Sequence, residues 1–155
     1  MYGACGSVAD AQATFNVIQT QNVHLQNILI HTYIALNGHF KDAINVFESI
    51  SKRNVVSWTT IISFATQQGF CAEAMMLFHR MESVGFAPSK ITFISILEAC
   101  TTQEEGCEIH HSLVVRNYET GTIVATALIT MYESCGSLTN ARYIFATMPK
   151  KNVVP

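Results

Sequence analysis

Residues 55–89 read VVSWTTIISFATQQGFCAEAMMLFHRMESVGFAPS, and the spacing of their apolar residues decides the fold. Trp58, Ile61, Ile62 and Ala65 fall at i, i+3, i+4 and i+7, as one face of a helix requires. Gly69 interrupts, and the same spacing returns in Ala74, Leu77, Phe78 and Met81. Ser57 stands where an N-cap oxygen is wanted. Gly85 can take the left-handed conformation that ends a helix, and Pro88 prevents the helix from resuming. The stretch is therefore expected to form two amphipathic helices joined by a turn at Gly69.

Working outward, the pattern recurs. CGSVADAQATF (5–15), NGHFKDAINVF (37–47), QGFCAEAMMLF (68–78) and CGSLTNARYIF (135–145) each place Gly, then Ala five residues later, then Phe four beyond. Steps from Ala11 to Ala43, Ala74 and Ala141 are 32, 31 and 67 residues, so a diverged unit is expected inside the double step. TFISILEACTTQEEGCEIHHSL (92–113) supplies it, with Gly106, Ile109, His110 and Leu113 on the same spacing. In the last complete unit Ala125, Leu128, Ile129 and Tyr132, then Ala141, Ile144, Phe145 and Met148, repeat the two faces. A single hairpin cannot bury such faces, whereas stacked hairpins can. The expected fold is all-α, an α-solenoid of stacked helix–turn–helix hairpins, with turns near Gly38, Gly69 and Gly136.

Composition narrows the function classes. Of 155 residues 49% are hydrophobic, too many for a disordered segment, and only 13% are charged, with a formal net charge of −2. No global basic field exists, so nucleic-acid binding would rest on local features. Asn, Gln, Thr and His break up the apolar residues, and no membrane span is expected. The N-terminal MYGACGSVADAQ has neither a secretory signal's charged and apolar regions nor a transit peptide's arginines. Cys5, Cys71, Cys100, Cys107 and Cys135 are odd in number and far apart, which suits a reducing compartment better than a disulfide framework.

MYGACGSVADAQATF (1–15) and MYESCGSLTNARYIF (131–145) resemble the short motif of the plant pentatricopeptide repeat family, in its arrays of long, short and standard motifs. Residues 55–89 resemble the standard motif over its whole length, and TFISILEAC with GCEIH resembles the long motif, shortened by three residues between Cys100 and Gly106. The resemblance covers essentially the whole chain and implies a right-handed superhelix. Its register is 1–22 (a partial short motif), 23–54 (short), 55–89 (standard), 90–121 (long) and 122–152 (short), with 153–155 opening a further motif. One extra residue separates Tyr33 from Gly38 in the second unit. Both ends cut through a motif, so the chain is expected to be a fragment or a shortened product of a longer array.

The resemblance implies single-stranded RNA as partner, with the fifth and last residues of each motif reading one base and the second residue wedging between bases. The reading pairs are then Asn27/Asn54, Thr59/Ser89 and Thr126/Asn152, taken as pyrimidine, purine with adenine favoured, and adenine. Ile94/Gly121, lacking side-chain donors and acceptors, reads nothing. The wedge positions are His24, Val56, Ile91, Ile123 and Val154. Lys52, Arg53, Lys90, Lys150 and Lys151 cluster at motif joints and are candidates for phosphate contact. From spacing alone, Thr and Asn near helix starts are caps, Val and Ile there pack hairpins, and joint cations are solvated turns.

No enzyme activity, metal or cofactor is expected. Cys107, Glu108, His110 and His111 form a CxxHH string, but His110 occupies the slot held by Phe15, Phe47, Phe78 and Phe145, which favours packing over ligation. There is no HxE followed by PCxxC, as the zinc deaminase chemistry of some relatives would require. The expected function is a sequence-selective RNA adaptor in organellar RNA processing or cytidine-to-uridine editing. An editing or processing enzyme would act in trans, in a mitochondrion or chloroplast. The alternatives are a protein-binding helical-repeat scaffold, whose W-x-x-L-G-x-x-Y signature is missing, or a non-functional fragment.

Overall fold

The structure, a computed structural model, describes residues 27–148 apart from 29, 33 and 36–38. Among the described residues every regular element is an α-helix. α1 is Phe40–Ser49, α2 Val55–Gln67, α3 Cys71–Ser83, α4 Lys90–Leu97, α5 Gln103–Val115, α6 Thr122–Ser134 and α7 Leu138–Thr147. Ahead of α1, Asn27, Ile28, Ile30, His31, Thr32, Ile34 and Ala35 are also helical. The chain divides into two compact units between Pro88 and Ser89.

Reciprocal capping boxes start three of these helices, each satisfying two backbone donors that the helix itself leaves unpaired. At α2, Asn54 Oδ1 accepts from Ser57 N at 2.9 Å while Asn54 N donates to Ser57 Oγ at 3.2 Å. Ser57, expected as the cap, is thus the third helical residue, and the helix begins at Val55. Ser89 with Thr92 and Thr102 with Glu105 repeat the device at α4 and α5. The Glu105 carboxyl is held below its ordinary range, first by the N–H of Thr101 and also by that of Thr102.

The ends of α2, α5 and α6 follow one rule. Gly69 (φ 79°) and Gly136 (φ 76°) turn the chain left-handed after α2 and α6. The next N–H then bonds back to the helix, Phe70 N to Ala65 O at 2.9 Å and Ser137 N to Tyr132 O at 2.8 Å. After α5 the same geometry falls on Asn117 (φ 56°), with Tyr118 N donating to Leu113 O at 3.0 Å. Asparagine tolerates this region better than other side chains. The expected turn at Gly38 lies outside the described residues.

In the first unit α2 packs between α1 and α3. Phe47, Trp58, Ile61, Ala65, Ala74, Phe78 and Met81 are all buried, and the Phe47 and Trp58 rings meet edge to face at 4.8 Å. Glu48 clasps both Arg53 and Arg80, whose guanidinium groups lie over Phe47 and Trp58. The Arg80 hydrogen bond, chiefly, draws the Glu48 carboxyl below its usual range.

In the second unit α6 packs on α4, α5 and α7. Gly106 takes the slot that Ala43, Ala74 and Ala141 hold elsewhere, and a Cβ there would collide with the thioether of the buried Met131. The methyl absent from one helix is replaced by side chain from the next. His110 stands where Phe47 and Phe78 stand, with Nδ1 2.8 Å from the Tyr132 hydroxyl. Two expectations change. α4 has only 8 residues where α2 and α6 have 13, so the shortening falls on its hairpin's first helix, and the link that follows it is longer than those after α2 and α6. Phe145, placed by spacing on the buried face, is 72% exposed. Phe47 owes its burial to Trp58 on the following helix, and the residues after Met148 lie outside the described ones.

Phe78→Ala is expected to cost about 3–5 kcal/mol in urea denaturation, and Phe145→Ala no more than about 0.5 kcal/mol. Equal losses would contradict the assignment of Phe145 to the surface. A second test uses His110, whose pKa burial pushes below the ordinary histidine value. Above about pH 7 the ring is neutral in folded and unfolded chains alike. As pH falls through the unfolded pKa toward the lower folded one, the unfolded state takes up the proton first, and stability is lost. His110→Phe should flatten the melting temperature profile between about pH 7 and 5 relative to the parent. Parallel profiles would show that His110 does not carry this loss.

Candidate nucleic-acid interface

The first helices of the hairpins, α2, α4 and α6, present the same residues to solvent. Their second residues, Val56, Ile91 and Ile123, are 53%, 66% and 72% exposed, while the third residues, Ser57, Thr92 and Val124, are buried. Hairpin packing would have buried large aliphatic side chains; here three equivalent ones stand outside the core. Three residues further, Thr126 is exposed and Thr59 and Ile94 are half-buried. Both threonine hydroxyls donate to the carbonyl four residues back, Thr59 to Val55 O at 2.8 Å and Thr126 to Thr122 O at 2.7 Å.

The residues expected at motif ends are N-caps. Asn54 and Ser89 cap with their side chains, and Gly121 (φ 127°) caps α6 with none. Asn27 and Asn54 are brought together, Asn27 Nδ2 lying 3.4 Å from Asn54 Oδ1. Asn27 is nonetheless 7% exposed, and its Oδ1 accepts from Ser57 Oγ at 2.8 Å. These two amides are joined within one capping network, so the capping role inferred from spacing is met at Asn54 and Ser89. His24, Lys150, Lys151, Asn152 and Val154 lie outside the described residues.

In the second unit Ile94, Ile123 and Thr126 line a common groove of about 470 Å³ between α4 and α6. Leu97, Ala127 and Met131 continue its apolar floor, and Glu98, Thr130 and Ser134 its polar wall. Sequence reasoning missed these last residues, although Thr130 and Ser134 repeat the Thr126 hydroxyl at helical spacing. No lysine or arginine lines the groove. Lys90 reaches Thr120 O at 3.3 Å and the Tyr118 ring face. Arg53 donates to Phe47 O and Glu48 O, closing the end of α1 as well as pairing with the Glu48 carboxylate. Lys52 is exposed.

Two residues of the CxxHH string, Cys107 and His110, lie against Tyr132. Cys107 Sγ lies 3.9 Å from its hydroxyl, beside the His110 bond. Burial, with Cys107 adding to it, pushes the Tyr132 phenol well above its ordinary value. Among the described residues no group of three His, Cys, Asp or Glu side chains is placed to hold a metal ion. No helix among them is long and apolar enough to cross a membrane.

A model of the PPR repeat family matches residues 53–102. A pentatricopeptide repeat-containing protein of Arabidopsis thaliana is 36% identical over 136 residues, covering 86% of this chain and 20% of that protein. A second from the same plant, named as chloroplastic, is 36% identical over 163 residues, covering 97% and 26%. A third, named as mitochondrial, is 34% identical over 138 residues, covering 86% and 20%. The chain thus spans about a fifth to a quarter of the length of these curated relatives. Paired helices on a period of 31 to 35 residues, and relatives that share the pattern across most of the chain, agree: the protein belongs to the pentatricopeptide repeat family.

Proposed function

We propose that this chain is a sequence-selective single-stranded RNA adaptor of plant organelles, contacting about one base per repeat and leaving any processing or cytidine-to-uridine editing to an enzyme in trans. The observation that carries the reading is the recurrence of an exposed aliphatic residue, Val56, Ile91 or Ile123, at the second position of each first helix. Such a residue can slide between two unstacked bases, while the neighbouring fifth side chain meets a base edge. The organelle is suggested by relatives named as chloroplastic and mitochondrial.

Within this reading Thr126 with Asn152 takes adenine, Thr59 with Ser89 a purine, and Asn27 with Asn54 a pyrimidine. The last is the weakest pair, since reaching a base would require opening its capping network. Ile94 with Gly121 reads nothing. Lys52 and Lys90, with Lys150 and Lys151, are the phosphate contacts; Arg53 acts mainly at the end of α1. The groove's carboxylate and lack of cations favour a modest affinity, one that depends on these joint lysines and therefore on salt. A protein-binding scaffold would show no such dependence on RNA.

The test sets motif 122–152 inside a longer array of known target and compares RNAs that differ only at the facing nucleotide. Thr126→Asn should move the preference there from adenine toward a pyrimidine, with total affinity changing less than the preference. An unchanged order of the four bases would make the pair structural and the register wrong.

A further inference from the structure

The groove between α4 and α6 exists because the two helices differ in length. Both are first helices and both start at a cap, but α4 stops after 8 residues and α6 continues for 13. At 1.5 Å per residue, roughly 7 Å of α6 runs on past the end of its neighbour. The chain after α4 turns away tightly, with Ala99 N bonded to Ile96 O at 3.0 Å and Cys100 Sγ to Ile96 O at 3.5 Å. The last turns of α6, with Thr130 and Ser134, are left facing open space beside Glu98.

Three of the hydroxyls that line that space share one orientation. Thr126 Oγ1 lies 2.7 Å from Thr122 O, Thr130 Oγ1 3.0 Å from Thr126 O, and Ser134 Oγ 2.8 Å from Thr130 O. A carbonyl oxygen can only accept, so each hydroxyl must direct its single proton into the helix. What each turns outward is lone pairs. Glu98, which lines the same groove, is exposed, and a carboxylate only accepts. Every hydroxyl of this ladder, and the carboxylate that shares the groove with it, therefore asks for a donor.

We propose that this groove selects an amino-bearing base, adenine or cytosine, over uracil, through the acceptor wall of Thr126, Thr130, Ser134 and Glu98. The inference rests on the RNA reading given above and extends it to residues outside the fifth and last positions. Adenine N6 and cytosine N4 each carry two hydrogens, which the wall can accept. Uracil offers O4 at the equivalent place, and an oxygen set against a carboxylate and hydroxyl lone pairs leaves acceptors facing one another with no proton between them. Ile94 and Ile123 supply the apolar contact to the ring faces without regard to base. The groove thus gives the 90–121 motif, whose own pair is silent, a base preference borrowed from the end of its shortened helix.

The test titrates the full chain, labelled at its isoleucine, leucine, methionine and alanine methyl groups, with ten-nucleotide oligo(A), oligo(C) and oligo(U). In NMR spectra the methyl signals of Ile94, Ile123 and Ala127 should shift with oligo(A) and oligo(C) at concentrations about fivefold below those needed for oligo(U), the factor one hydrogen bond makes. Glu98→Gln keeps the shape and adds an N–H donor, and should bring oligo(U) within about twofold of oligo(A), again one bond's difference. Thr130→Val, which keeps volume and removes the hydroxyl, should narrow the same ratio while Ile123 still responds. RNA binding at Ile91 and Ile123 with equal response to all three oligomers, or a ratio unmoved by Glu98→Gln, would overturn the inference and leave the RNA reading standing. Absence of a shift with any RNA, or groove shifts produced only by an arginine-rich peptide, would overturn both.

Discussion

Phe47 and Phe145 end their hairpins as rings that their own two helices do not cover. Phe47 is fully buried because Trp58, on the next helix, meets it edge to face at 4.8 Å. That dependence of one repeat on its successor is what turns a row of marginal hairpins into a core. It also leaves the polar and exposed positions of each first helix unconstrained by packing. Substitutions at Val56 or Thr126 do not disturb the ring contacts, so the exposed face can vary while the fold persists. Phe145 shows the same principle from the other side, being of the same residue type in the same slot and yet 72% exposed.

Much of the fold was legible in the amino-acid sequence because helical periodicity is a local property. Ala74, Leu77, Phe78 and Met81 specify a buried face whatever follows them. Turns were legible where glycine is required, at Gly69 and Gly136, and missed at Asn117, since asparagine in the left-handed region leaves no spacing signal. Capping was misplaced by one turn because a box uses two polar residues reciprocally, and Asn54 and Ser57 are both of capping type. The exposure of Phe145 was not legible, since burial in that slot depends on a neighbour rather than on its own helix.

The site divides along the same line. The equivalence of Val56, Ile91 and Ile123 could be read from register, but only the folded chain distinguishes packing from exposure at those positions. That Asn27 approaches Asn54 follows from a resemblance and not from spacing, being a contact between residues 27 positions apart. That both amides are then bound up with Ser57 was not visible in either. Glu98 attracted no attention in the sequence because its significance comes from where α4 stops.

Loss of residues inside a repeat is ordinarily a defect, because it removes apolar area from a core with little to spare. Here the shortening falls at the end of α4, past Leu97, where the helix had already delivered Phe93, Ile96 and Leu97 to the interior. The hairpin keeps its core, and a Thr102–Glu105 capping box starts the second helix after a link of residues 98–102. Gly106 then lets α5 approach α6 closely enough for Met131 to fill the place of the missing methyl. The volume removed therefore appears at the exposed face, beside the hydroxyl ladder of α6, rather than as a cavity beneath it. Ile94, with no side-chain donor or acceptor of its own, is left beside a different polar surface, made from the backbone-directed hydroxyls of α6 and one carboxylate.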